Sequence, residues 1–230
     1  MIVAIHQPQF FPWIGYFYKI AACDLFIYLD DVQFKKNEFQ NRNKIKTAQG
    51  PRWLTVPVRY SFGQSMREVE TDNRRNWRHA HLQTLRTNYA PAPWFQEYFP
   101  RLEALYAREW DNIAEFNIAT VNLMMEFLGL KVERRRSSEL PSKGASTQRL
   151  VSLCSGLGAQ TYLSGAGARD YLDASLFAQA GIALRYQEFE HPEYPQLFGD
   201  FEPFLSCLDW VLNTGEAAAS ALAAFQSSCR

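Results

Sequence analysis

The stretch from Met1 to Asp31 constrains the fold more than any other part of the chain. A run of β-type residues (Ile2, Val3, Ile5) stops at a polar, proline-broken loop bearing His6, Gln7 and Gln9. Ile14 to Ala22 then reads as a helix with Phe17, Ile20 and Ala21 on its inner face, and a second apolar run, Leu25 to Leu29, ends in Asp30 and Asp31. Strand, helix and strand within about thirty residues is the size of one βαβ unit with a right-handed crossover. In open sheets of that kind, ligands bind beyond the carboxyl ends of the strands. His6, Gln7, Asp30 and Asp31 fall on that rim, beside helix amides suited to an anion.

Downstream of this unit, residues 35–52 are basic and amide-rich, with Asn41, Arg42, Asn43 and Lys44 at their centre. The bland reading is a solvated surface loop. The functional one, favoured because planar amides are mixed with Arg and Lys, is a loop folding over the ligand, where Arg42 grips phosphate at two points. Trp53 to Val58 reads as a strand with Met66 to Val69 as its short partner, and the pattern then turns helical over 76–89, from Pro91 to Tyr106, and over 113–130. The cluster Arg74, Arg75 and Arg78 is expected to be a surface face.

A short strand, Lys131 to Arg136, leads to a loop bearing Lys143 and a helix from Thr147 to Leu157, with Ser146 or Thr147 as its cap. This is a second anion-friendly junction. The strand Thr161 to Leu163 breaks into Ser164-Gly165-Ala-Gly167, followed by Arg169, Asp170 and Tyr171. Those glycines permit close ligand approach or a positive φ; a plain structural turn is the alternative. Ser164 becomes a nucleophile only with a base in reach. A helix, a strand over 182–186, a proline-stiffened loop carrying His191 and a helical, Ala-rich tail complete the chain. The division expected is an N-terminal α/β half (1–72), a helical insertion (73–130) and a C-terminal α/β half with its tail (131–230), packed as one compact unit.

Several classes of function are disfavoured. Lys plus Arg balance Asp plus Glu at 24 each, which argues against a nucleic-acid-coating protein, since that requires a positive excess. Cys23, Cys154, Cys207 and Cys229 form no C-x-x-C pair, so neither a zinc knuckle nor a redox dithiol is indicated, and reduced thiols in the cytoplasm are expected. The chain opens with no basic segment ahead of a long apolar one and has no apolar run long enough to span a bilayer. Neither a Walker-A lysine motif nor G-x-G-x-x-G is present. No metal-ligand spacing is present either; the only metal reading is a transient Mg²⁺ shared between Asp30 or Asp31 and substrate phosphates. The cofactor is otherwise unassigned, with a nucleotide and Mg²⁺ as the candidate pair, and a homo-oligomer is compatible with the sequence.

Two resemblances follow from these motifs. Trp13-Ile-Gly15-Tyr16 stands where nucleotidyltransferases and pantothenate-synthetase-like ligases carry H-x-G-H, and Lys143-Gly-Ala-Ser146 loosely resembles their K-x-S-x loop; both histidines of the first motif are replaced. His6-Gln-Pro-x-Phe-x-Pro-Trp-x-Gly-Tyr-Phe, Phe39-Gln-Asn-Arg-Asn-Lys-Ile, Trp53-Leu-Thr-Val-Pro-Val, Tyr162-Leu-Ser-Gly-x-Gly-x-Arg-Asp-Tyr-Leu and His191-Pro-x-Tyr-x-Gln together resemble the WbqC-like family over nearly the whole chain. That resemblance implies bacterial surface-polysaccharide loci, O-antigen among them, and the decoration of sugars there.

The fold expected is α/β: a Rossmann-like, nucleotidyltransferase-like parallel sheet with an inserted, mainly helical segment. The function expected is group transfer or ligation on an activated small molecule (a nucleotide-sugar, acyl or aminoacyl donor), with small-molecule substrates. A non-catalytic sugar or nucleotide-sugar binding protein is the rival. His6 is the expected acid/base or oxyanion-stabilising group, because histidine titrates near neutrality. Ser164 and Asp170 are the further catalytic candidates. Gln7, Gln9, Trp13, Tyr16, Asp30, Asn41, Arg42, Asn43, Lys44, Lys143, Gly165, Arg169, Tyr171 and His191 are the candidate substrate- and phosphate-binding residues.

Overall fold

The computed structural model describes residues 1–229. Five strands make one parallel sheet: β1 (Ile2–His6), β2 (Leu25–Tyr28), and three later strands named below in chain order. Between β1 and β2 runs α1 (Ile14–Ala21), as a βαβ crossover requires. The chain then leaves the sheet for a hairpin, β3 (Arg42–Thr47) with β4 (Gly50–Thr55), and a two-residue pairing of β5 (Val58–Arg59) with β6 (Glu70–Thr71). Three helices follow, α2 (Trp77–Tyr89), α3 (Phe95–Ala107) and α4 (Ile113–Phe127). It returns through β7 (Glu133–Arg136), α5 (Ser146–Gly156), β8 (Thr161–Ser164), α6 (Ala174–Gln179) and β9 (Ala183–Tyr186), and ends in α7 (Cys207–Thr214) and α8 (Glu216–Ser228).

The spatial order is β7-β2-β1-β8-β9, so the first strand is central and the direction of winding reverses between β1 and β8. This is the Rossmann-like arrangement, and it opens a crevice at the carboxyl ends of β1 and β8. Alternation along the strands sorts the core into two layers. Ala4, Phe26, Tyr28 and Leu163 pack against Phe17 and Ile20 of α1 and Val121 of α4. Val3, Ile5, Leu25, Ile27 and Tyr162 pack on the other face against Leu153 and Cys154 of α5 and Phe177 of α6. Burial on both faces explains why these strands read as near-continuous apolar runs.

Three local expectations are corrected. Residues 42–52 are not a loop but, with the expected strand at Trp53, form an antiparallel hairpin, because Asn43, Ile45 and Thr47 alternate inward while Arg42 and Lys44 share the outer face with Trp53 across the ladder. The Arg42 guanidinium lies 4.2 Å and the Lys44 ammonium 5.3 Å from the Trp53 ring, so the basic side chains are held by cation–π contact. Met66–Glu68 is a turn of 3-10 helix closed by a Ser65–Glu68 capping box, and the pairing falls instead to Glu70 and Thr71. The N-cap of α5 is Ala145; Ser146 is in the first helical turn at φ +50°, and the Thr147 hydroxyl accepts from the Asp173 amide. Arg74 pairs with Asp72 and Arg78 reaches the Arg108 carbonyl, both on the surface as expected.

Residues 187–206, between β9 and α7, form an irregular strap back across the amino end of α1. Ser206 bridges to Trp13, and the Ser206 amide donates to the Lys44 carbonyl. The buried Lys46 ammonium donates to Gln196 Oε1 and to the Gly199 and Asp200 carbonyls. Beneath the strap, the Tyr89 and Tyr194 hydroxyls donate to the two oxygens of buried Asp209 at 2.7 and 3.0 Å. All four cysteines are free thiols. Among the described residues no helix is long and apolar enough to cross a membrane.

Candidate functional site

Two clefts open at the carboxyl ends of the central strands, and His6 lines both. The first, about 380 Å³, runs on the α1 side between Trp13, Tyr16 and Lys19, the Gly165–Gly167 turn, and Phe189 and Phe204 of the strap. The second, about 400 Å³, is walled by Leu29, Lys35, Ser146, Arg149, Tyr162 and Tyr171. Another cavity, about 480 Å³, lies away from the sheet between Asn41, Pro57, Arg75 and Trp77. The buried His81 in its wall already bonds Tyr106 Oη and the Thr55 carbonyl, so it is a satisfied core histidine.

The His6 ring is fixed from two sides. Its Nδ1 is 3.1 Å from the Gln7 carbonyl, which only accepts, so Nδ1 carries the hydrogen and Nε2 presents a lone pair. The Tyr16 ring stands edge-on 4.9 Å away, and its hydroxyl donates to the same Gln7 carbonyl. Gln7 is in turn held by Gln40, whose Nε2 is 2.6 Å from Gln7 Oε1. Burial, with the Lys19 ammonium as a lesser cause, lowers the His6 pKa to about 3. His6 is therefore a neutral imidazole at pH 7, which corrects the expectation of a group titrating near neutrality.

Local sequence explains the first cleft. Trp13 is the N-cap of α1 and supplies no capping side chain, so the first-turn amides are not closed off by one. Its indole lies over Gly15 and packs against Phe189 and Phe204. Gly165 and Gly167 both have negative φ, and a β-carbon on either would meet open space, so their use is to leave the floor bare for close approach. Gln187 ties the strap to α1 by donating to the Gly15 carbonyl at 2.9 Å.

Lys19 is a site residue that sequence reasoning missed. It is 2% exposed, its Nζ donates to the Ile5 carbonyl at 3.3 Å, and among the described residues no carboxylate pairs with it. Burial lowers its pKa to about 7. The signal was present as a lysine three residues after Tyr16, on the inward face of an otherwise apolar helix.

The remaining candidates divide by location. Trp13, Tyr16 and Gly165 line the first cleft, and Gln7 and Tyr171 the second. Ser164 is buried and, by strand alternation, sits with Tyr162 on the sheet face opposite His6, so the structure does not bring the two together. His191 lies behind the first cleft: its Nδ1 faces the Pro192 carbonyl, its Nε2 accepts from the Phe204 amide, and its ring stacks 6.4 Å from Trp13. Arg169 rests on the Tyr186 ring at 4.6 Å, with exposed Asp170 beside it in sequence, and Lys143 is exposed.

Several candidates are spent on structure. Asn41 bonds the Val56 carbonyl and the Asn37 amide, while Asn43 holds the Phe10 and Phe11 carbonyls of the opening loop. Gln9 packs with its buried Oε1 unbonded, and Arg42 and Lys44 remain on the hairpin, outside both His6 clefts. Asp30 accepts from the Ser137 and Ser138 hydroxyls and the Ser138 amide, and Asp31 pairs with Arg149. Their charges join β2 to the segment after β7, which leaves a poor fit to a Mg²⁺ shared with substrate; no group of three or more metal-ligating side chains occurs among the described residues.

Comparison with known proteins gives a relationship of sequence. The model of the WbqC-like protein family matches residues 7–221. The chain is also 37% identical over 220 residues to the uncharacterized protein Rv1507c of Mycobacterium tuberculosis (strain ATCC 25618 / H37Rv), covering 94% of this chain and 95% of that one. No solved structure matches the chain.

Proposed function

The chain belongs to the WbqC-like protein family, and from that premise we propose that it is an enzyme of group transfer or ligation. Its donor would be an activated small molecule (a nucleotide-sugar, acyl or aminoacyl compound), used in bacterial surface-polysaccharide biosynthesis. One observation carries this reading: among the described residues, His6 alone lines both clefts. Donor and acceptor seated in separate clefts would be brought together at this one residue, the juxtaposition a two-substrate transfer requires.

The chemistry follows from the tautomer. With hydrogen on Nδ1, the Nε2 lone pair accepts a hydrogen bond from an acceptor hydroxyl or amine and orients it. The acceptor's oxygen or nitrogen then forms a bond to the donor's anomeric or carbonyl carbon. The bond from that carbon to the leaving group breaks, and the leaving group departs with the electron pair. The acceptor's proton goes to the departing leaving group, with Nε2 accepting the hydrogen bond that orients the acceptor without holding the proton at neutral pH. Ser164, on the other face of the sheet, takes no part in this step.

The aromatic wall of Trp13, Phe189 and Phe204 favours the second reading, a non-catalytic binder of sugars or nucleotide-sugars, since flat rings stack on sugar faces. Assay of nucleotide-sugar and acyl donors with sugar acceptors, for the wild type and His6→Ala, separates the two. Group transfer predicts product from the wild type and a fall in kcat of ~10²–10⁴ in the variant with donor binding kept. Equal turnover in a folded variant removes His6 from the reaction. Saturable binding without product across those donors and acceptors selects the binding protein.

A further inference from the structure

We propose that Lys19 is the receptor for an oxyanion in the first cleft, a phosphate or carboxylate borne by the donor, and that it takes up a proton as the anion binds. This deepens the reading of that cleft as a donor site. A lysine that is 2% exposed in a cleft wall, with no acidic partner among the described residues and one 3.3 Å bond to a carbonyl, is an incomplete arrangement for an ammonium ion. Structural lysines buried to this degree are completed by several acceptors, as Lys46 is by Gln196, Gly199 and Asp200. Lys19 has no such set, and the space beside it is open.

The surroundings select an anion. The amino end of α1, without a side-chain cap, borders the same cleft through Trp13 and Gly15, so backbone dipole and ammonium act in one direction. The bare turn at Gly165 and Gly167 allows an oxyanion to approach backbone without a β-carbon in the way. The titratable groups facing Lys19 are His6 on β1, Tyr16 on α1 and Cys23 just past its end. His6 is lowered to about 3, and burial pushes the Tyr16 phenol and the Cys23 thiol up, so all three stay neutral at neutral pH. The strap and the turn after β8 add only uncharged side chains to this cleft.

Burial holds the empty amine at about 7, so near neutrality it is shared between its two protonation states. A bound anion favours the ammonium form, and the proton needed comes from solvent. Calorimetric titration with sulfate and with acetate, neither of which titrates in this range, in two buffers of different ionisation enthalpy counts that proton. Uptake is expected to be near zero at about pH 6 and to approach one proton at about pH 8.5, with affinity falling up to ~tenfold per pH unit above neutrality. The two anions tell a phosphate-like from a carboxylate receptor.

Lys19→Met should lose both the affinity and the uptake. Lys19→Arg, permanently charged, should bind without uptake and guards against misfolding of the first variant. Overturning results are uptake that persists in Lys19→Met, wild-type binding without uptake at the higher pH, or no saturable binding of either anion up to tens of millimolar. Since no turnover is measured, proton-linked binding in a protein that forms no product would refute group transfer and leave the receptor standing, and the converse result would do the reverse.

Discussion

The indole of Trp13 lies so close over Gly15 that a β-carbon on that glycine would fall 2.2 Å from the ring. The Trp-x-Gly spacing is thereby explained: the first turn of α1 presents no side chain where the ring must rest. Trp13 is in turn the wall that Phe189 and Phe204 complete, so the position of one ring shapes the first cleft.

Gly15→Ala should therefore expel the indole, costing about 1–3 kcal/mol by overpacking. The expected signs are a lower Tm and a red-shifted tryptophan emission, with weaker binding of any ligand of that cleft. Unchanged emission and Tm would show that the ring does not rest on Gly15.

Acid should destabilise the protein in a defined window. Burial lowers the His81 pKa to about 4, whereas the unfolded chain titrates near 6.5. Above about 6.5 the imidazole is neutral in both states and its full contribution is present. Between 6.5 and 4 only the unfolded state takes up the proton, so stability falls as the pH falls. His81 alone accounts for about 3 kcal/mol of that loss, at ~1.4 kcal/mol for each pKa unit. Urea unfolding at about pH 7.5 and about pH 4.5 measures it, and His81→Gln should reduce the dependence, leaving the part that His6 contributes over the same window. An equal slope in the variant would assign the acid sensitivity to another group.

Lys46 should govern the strap. Its ammonium is bonded by Gln196, Gly199 and Asp200, and Lys46→Met removes all three contacts. Amide exchange over residues 196–206 should quicken and the Phe204 side of the cleft should loosen, with far less change in the sheet. Exchange that rises equally in β1 and β8 would mean instead that Lys46 supports the global fold.

Ser164→Ala should leave turnover within about threefold of wild type, because its hydroxyl belongs to the sheet face away from His6. A loss of ~10³ or more in kcat, the scale expected of a nucleophile, would contradict the proposed mechanism.

The fold was legible where both faces of a strand are buried, since Ile2, Val3 and Ile5 and the run from Leu25 announce themselves without help from the rest of the chain. His6, Trp13 and Tyr16 were legible for the related reason that a strand end and a helix start bracket them. The hairpin was not, because Asn43, Ile45 and Thr47 alternate inward within a stretch whose charge density reads as a loop. Nor was Lys19, whose ammonium is buried against the Ile5 carbonyl of β1 in a cleft that the strap and the turn after β8 complete, residues far from it in sequence. The same distance hid the role of His191, which supports the Phe204 and Trp13 wall from behind.

The most direct measurement is a crystal structure of the protein grown with a nucleotide-sugar or acyl donor and a sugar acceptor. The predicted result is ligand density in both clefts, with the reacting atoms within hydrogen-bonding reach of His6 Nε2 and the donor's oxyanion at Lys19. Density confined to the hairpin around Trp53 and Arg42, with both His6 clefts filled only by solvent, would contradict it.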